Sequence, residues 1–297
     1  MLDRAAAVER ASGLIEVARP MLHEAINYST QAFARIAQTR PDWIRPEAFT
    51  APVILFRHII ETTDAIEASL SNSCVDPAKM MLRGSFEAAL GIKYICEANT
   101  DRRALAWIYN NVRDRIRWYT RIHDGELSDD FMRDIPDEIL ARVDQELGRL
   151  QRVLDAPYMR DVLDEVQRQE KYRRWYSLWD GPNNLWELAQ HLGWLDDYET
   201  LYRRWSSEAH ASGGFLKTFR LDDAGKGSIM PVRSPVDMES VASYARWFLL
   251  DALRVLIDRF RPGEEVARAE WHETMMRPLK QELHGTSFTF DVTPYKW

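Results

Sequence analysis

Apolar residues recur at three- and four-residue steps through most of this chain, and the steps break where proline, glycine or an acidic capping residue stands. Between about Ala51 and Leu70, the residues Phe56, Ile59, Thr63, Ile66 and Leu70 fall on one stripe, which predicts an amphipathic helix packed on a neighbour. Residues 3–38 carry the same period, with Pro20 either kinking one helix or opening a second segment after Arg19, and Arg40 to Pro46 forms a linker. Asp76 and Pro77 predict a cap and a first-turn proline for a helix reaching about Asn99, and Asp101 opens the next. From Ile135 to Leu154, and from Tyr158 to about Trp175, charge-rich helical sequence predicts an extension or helical hairpin laid on the core, whose tail, Lys171 to Trp179, is basic and aromatic and can either line a nucleic-acid path or bury its rings. Asp180, Gly181 and Pro182 predict a turn, and Leu185, Leu188 and Leu192 a short helix stopped by Gly193. Val241, Ala245, Phe248, Leu249, Ala252, Leu256 and Phe260 make the segment from about Val236 apolar nearly all round, so a central helix touched from two sides is expected, closing at Pro262 and Gly263. A last helix spans about 264–283. Only two stretches depart from the helical period: Phe215 to Val232, an irregular loop or small hairpin, and Ser287 to Val292, a short strand or an arm against a second subunit.

The fold class that follows is all-α. One multi-helix domain is expected over residues 1–297, with its core at about 50–260, a helical extension at 126–178, added helices at both ends and minor β at the C-terminus.

Composition narrows the setting. With 45% hydrophobic and 29% charged residues the chain has the balance of a soluble globular protein, and its net charge of −7 argues against nonspecific coating of nucleic acid while permitting a local basic strip. Cys74 and Cys96, the two cysteines, have neither metal-ligand nor redox spacing, which fits a reducing cytoplasm. No apolar run approaches the roughly 20 residues of a membrane span, and the first residues lack the apolar centre of a signal peptide, so a cytoplasmic location without membrane attachment is expected.

Candidate chemistry concentrates in Tyr198 to Gly214. Asp196 or Asp197 can cap a helix there, Leu201, Trp205 and Ala209 follow at helical spacing, and Gly213 and Gly214 stop it. Its last turn carries Ser206, Ser207, Glu208 and His210, more polar groups than a packing helix needs. Arg203 and His210, seven positions apart, share a face of a regular helix, whereas Arg204 points elsewhere unless the helix ends early. Glu199, four residues before Arg203, is a ready ion-pair partner, and His210 can equally serve as a C-terminal cap. Arg83 and Glu87, on a face continued by Leu90 and Tyr94, are expected to be partly buried and to meet His210 in one polar cleft. Arg113, Arg117 and Arg121 form a basic strip beside Trp118 and Tyr119, able either to follow an RNA backbone or to stand as a solvated face. His58 and Glu61 lie three apart but have no second pair to complete a metal site, and no glycine-rich phosphate loop, serine-nucleophile elbow or Cys/His zinc pattern occurs. No metal or cofactor is expected.

Three blocks, Met81 to Tyr94, Trp179 to Pro182 and Tyr198 to Ser212, resemble a bacterial helical family without assigned function, over about residues 50–260. That family is in turn distantly similar to the HEPN superfamily, whose ribonuclease members carry an arginine, usually a polar residue after it, and a histidine several positions on. Arg203 with six intervening residues, or Arg204 with five, can be fitted to this motif. The fit departs from the usual pattern, since Arg204 follows Arg203 where Asn, Asp or His is usual, and Trp205 follows Arg204. The resemblance implies a HEPN-like bundle and a metal-independent ribonuclease or toxin-like effector, as in phage defence. In it His210 acts as acid or base, Arg203 or Arg204 holds the scissile phosphate, and Glu208 or Ser207 orients the imidazole. It also implies a homodimer, each chain supplying half of a composite site. The alternative is a non-catalytic helical module that binds nucleotide, RNA or a partner protein, with Arg83, Glu87, His58 and His210 as its polar pocket.

Overall fold

The structure is a computed structural model that describes residues 3–169, 174–203, 205, 218–221, 227–286 and 295–296. Its first helix, α1 (Arg4–Gln38), is capped by Asp3, whose carboxylate accepts from the Ala6 N–H at 2.9 Å, and it runs unbroken through Pro20. Helix α2 (Pro46–Ser71) begins ahead of its apolar stripe because Pro46 sits at the first position, where a missing N–H costs nothing. Helix α3 (Val75–Glu97) is capped at Cys74, not at Asp76; Asp76 lies inside the first turn, and its carboxylate is 3.4 Å from Lys79 Nζ.

Helix α4 (Thr100–His123) lies on the outside of α2, and α5 (Asp129–Arg133), α6 (Asp137–Leu154) and α7 (Arg160–Arg168) form the expected extension, with α6 and α7 both against α4. The extension ends sooner than the sequence suggests. Residues 170–173 lie outside the described residues, and Trp175–Asp180 forms a 3-10 segment in which Trp179 and Asp180 take left-handed φ values of 52° and 59°, incompatible with a continued α-helix. Helix α8 (Leu185–His191) is capped by Asn184, whose side chain accepts from the Glu187 N–H at 2.9 Å, and Gly193 leaves it at φ 74°. The one-turn α9 (Leu195–Asp197) passes directly into a π-helical turn, Tyr198–Arg203.

Strands β1 (Phe219–Leu221) and β2 (Gly227–Ile229) pair antiparallel, Leu221 opposite Gly227, and β3 (Tyr295–Lys296) adds to the free edge of β2. This is the small hairpin expected within Phe215 to Val232; Ser287 to Val292 lies outside the described residues. Helix α10 (Met238–Phe260) packs against α1, α2 and α3 at once, as an apolar surface on more than one side requires. The expected last helix is divided into α11 (Glu265–Trp271) and α12 (Arg277–Gly285) by a π turn at His272–Met276.

The core is therefore a bundle of α1, α2, α3 and α10, and the class is all-α. Phe56, Phe86 and Phe248 are fully buried there, Phe86 meeting Phe248 edge-on at 5.4 Å; each such ring contributes about 2–3 kcal/mol by leaving water. No described helix is long and apolar enough to cross a membrane.

Candidate functional site

On the outer face of α3, Gly84, Ala88 and Gly91 follow one another at steps of four and three, so one strip of the helix carries almost no side chain. A Cβ on Gly91 would stand 3.3 Å from Leu55 Cδ1 and 3.7 Å from Trp175 Cζ2, and one on Gly84 3.5 Å from His58 Nε2. The bare strip is the floor of a cavity of about 430 Å³, large enough for a small ligand. Around it α2 places His58, α4 places Trp107 and Asn110, the 3-10 segment brings Trp175 and Tyr176 with Arg174 just before it, and the π turn adds Tyr202.

Two devices hold the wall formed by Arg174 to Gly181. Tyr94 on α3 donates its hydroxyl to the Tyr176 carbonyl at 3.1 Å, and Gly181 closes over that contact: a Cβ there would lie 2.0 Å from the same carbonyl oxygen and 2.5 Å from the Tyr94 hydroxyl. From α7, the buried carboxylate of Glu165 accepts from the Trp179 N–H at 3.1 Å, while Gln169 donates to the Ser177 carbonyl at 3.2 Å. These bonds offset the backbone strain at Trp179 and Asp180, about 1–3 kcal/mol for each left-handed residue. Burial pushes the Tyr176 phenol up to about 12, so it stays protonated.

Arg83 and Glu87 do meet at this site, though not as the helical ion pair their spacing suggests. Tyr202 stands between them: its hydroxyl donates to Glu87 Oε1 at 2.8 Å, and the Arg83 guanidinium lies 4.3 Å from its ring centre. Burial raises the Tyr202 hydroxyl pKa, the bond to Glu87 adds to the rise, and Arg83 opposes it. Arg83 is half-buried as expected, its Nε without a hydrogen-bond partner among the described residues, but Glu87 is exposed at the mouth of the cleft. One turn earlier, Lys79 is 1% exposed, 2.6 Å from Asp237 and 5.6 Å from the Trp205 ring centre. Helix α3 thus sets Lys79, Arg83 and Glu87 in a line beneath Tyr202 and Trp205.

The arginine-histidine stretch starts from this line. Arg203 is 73% exposed and pairs with Glu199 at 3.0 Å, the local ion pair its spacing allows. Tyr198–Arg203 is π-helical, and the interval from Arg203 to His210, on which their shared face depends, lies beyond it and, apart from Trp205, outside the described residues. Arg204, Ser206, Ser207, Glu208 and His210 lie outside the described residues, and so does the expected meeting of His210 with Arg83 and Glu87. The basic strip on α4 is interleaved with acid: Arg113 and Arg117 approach Asp114 at 2.9 and 4.0 Å, and Arg121 approaches Glu126 at 3.8 Å. Among the described residues no group of three or more His, Cys, Asp or Glu could hold a metal ion.

Sequence reasoning found Arg83, Glu87 and His58, and marked the basic, aromatic stretch Lys171 to Trp179 that supplies Arg174, Trp175 and Tyr176, but missed Asn110 and the bridging part of Tyr202. The one pattern that could have located the cleft floor was Gly84, Ala88 and Gly91 at helical spacing.

Such a bundle, with an aromatic-walled polar cleft on one of its central helices, defines an all-α protein with a preformed cavity. The chain belongs to a family of unknown function, DUF5677, whose model matches residues 49–227, from the first turn of α2 to the start of β2 and including every cleft residue named above. No curated protein and no solved structure matches the chain.

Proposed function

We propose that the cleft binds a nucleotide or a single-stranded segment of RNA. The observation that carries this reading is a pair of solvent-facing basic groups on an aromatic-lined cavity, the His58 imidazole and the Arg174 guanidinium, for which no side-chain ion pair occurs among the described residues. A guanidinium at the mouth suits a phosphate, the rings of Trp107 and Trp175 suit a base, and the Asn110 amide and Glu87 carboxylate supply the donor and acceptors that orient one. The test is equilibrium binding, by anisotropy of a labelled single-stranded RNA and by competition with mononucleotides. Arg174→Ala and His58→Ala should each weaken binding about tenfold, the ordinary value of one charged hydrogen bond. Wild-type protein that binds neither RNA nor mononucleotide at millimolar concentration, or an Arg174→Ala variant that binds unchanged, overturns the proposal.

A second reading, metal-independent RNA cleavage by a homodimeric toxin-like effector, as in phage defence, has one structural support. Tyr202 is bonded into the cleft wall, and Arg203, the first residue of the arginine-histidine motif, follows it directly in the chain. In that reaction His210 takes the proton of a ribose 2′-hydroxyl, the oxygen attacks the adjacent phosphorus, the bond to the 5′-oxygen breaks, and that oxygen leaves with a proton from solvent water. Incubation with total RNA in the presence of chelator should then give 2′,3′-cyclic phosphate ends in wild type and none in His210→Ala. Binding without cleavage in both proteins leaves the first reading alone.

A further inference from the structure

A second cavity, of about 390 Å³, opens between α3, α8 and α10 and shares no lining residue with the cleft. Its charged lining is Lys93, Glu97, His191, Arg254, Asp258 and Arg259, and their pairing is uneven. Lys93 Nζ lies 3.0 Å from Asp251, both side chains well buried at 16% and 14% exposure. Arg254 reaches Asp251 at 2.8 Å and Asp258 at 3.1 Å, while Glu97 receives Arg103 and His191, each at 2.8 Å. Pairing Lys93 with Asp251, Arg254 with Asp258 and Arg103 with Glu97 cancels three charges of each sign. Arg259 remains. It donates to the Thr100 hydroxyl at 3.1 Å and lies over the Trp43 ring at 4.4 Å, and no carboxylate answers its charge among the described residues. Arg259 and Cys96 both line the cavity; burial pushes the Cys96 thiol up to about 12, and the Arg259 charge opposes that rise.

We infer that this cavity is a binding site for a small organic monocarboxylate, its carboxylate on the fork of Arg259 and its short apolar body against Leu192 and Val255. One uncancelled positive charge matches one negative charge. A phosphate dianion is disfavoured, because Glu97 and Asp258 line the same space and repel the second charge.

The experiment is a titration of the full chain with sodium butyrate, read by isothermal calorimetry and thermal shift, against sodium chloride of equal ionic strength and against inorganic phosphate. Butyrate should bind saturably at low-millimolar concentration, phosphate at least tenfold more weakly, and chloride not at all. Arg259→Gln should abolish butyrate binding. Should that variant be too unstable for titration, Asp258→Asn decides instead: removing one carboxylate leaves a second positive charge uncancelled, so phosphate affinity should rise at least tenfold. Wild type that ignores butyrate, an Arg259→Gln variant that binds it as wild type does, or an Asp258→Asn variant with unchanged phosphate affinity each overturns the inference.

Discussion

Replacing Gly181 by alanine adds one methyl group at the point where the cleft wall is pinned. Gly181 has φ −73°, so alanine meets no backbone obstacle of its own and the whole effect is steric. The new Cβ would lie 2.0 Å from the Tyr176 carbonyl oxygen and 2.5 Å from the Tyr94 hydroxyl, both far inside contact distance. The carbonyl is backbone and cannot rotate away, so the segment must shift and the Tyr94 bond to Tyr176 must break. Overpacking costs about 1–3 kcal/mol and a lost buried hydrogen bond about 1 kcal/mol, together about 2–4 kcal/mol. In a chain of this size that corresponds to a Tm lower by roughly 3–6 °C. Urea unfolding followed by tryptophan fluorescence measures the free-energy change, and Tyr94→Phe, which removes only the hydrogen bond, should cost about 1 kcal/mol. In the double variant the carbonyl clash persists, so alanine should remain expensive with the hydroxyl gone. A Gly181→Ala protein within 0.5 kcal/mol of wild type refutes the reasoning.

Two further outcomes follow from the ion pairs. Lys79→Met should destabilise the protein by about 2–3 kcal/mol in urea unfolding, the low end for breaking a buried pair because Asp237 and Asp76 are partly exposed and recover water; an unchanged midpoint would show that Lys79 packs only as a hydrocarbon. His123 is held by Asp144 at 2.6 Å, and that hydrogen bond raises the imidazole pKa. Its contribution to joining α4 and α6 is therefore complete below the unfolded value of about 6.5 and is lost as pH climbs through the elevated folded value. Amide exchange of residues 137–154, corrected for the intrinsic rate, should become less protected between pH 6 and 8.5 in wild type and show no such change in His123→Gln.

The bundle was legible because each of its helices had to bury a stripe. Phe56, Ile59, Thr63, Ile66 and Leu70 mark α2 from spacing alone, and α10 shows its central place by having apolar residues on several faces. The π turns were not legible, since an apolar pair four residues apart such as Leu201 and Trp205 satisfies an α-helical reading whatever the backbone does between. Arg83 drew attention as a charge on a packing face. Asn110 did not, and Arg174 stood out only within the basic, aromatic stretch Lys171 to Trp179, because the two reach the cleft from segments 64 residues apart and only tertiary packing joins them. Glu165 was indistinguishable from its charged neighbours in a solvated segment until its Trp179 partner was visible.

That last contact decides which part of the extension can be traded away. Helix α5 buries none of its residues and α6 buries only Val143, so a loop could replace both and leave the cleft's fastenings untouched. Helix α7 is different: it carries the acceptor that secures a strained turn at the edge of the ligand site. A descendant or a designer shortening this chain therefore meets a boundary at about Pro157, since Met159 just after it is fully buried in the core. Before it lies removable architecture, and after it a splint without which Arg174, Trp175 and Tyr176 lose their common bearing.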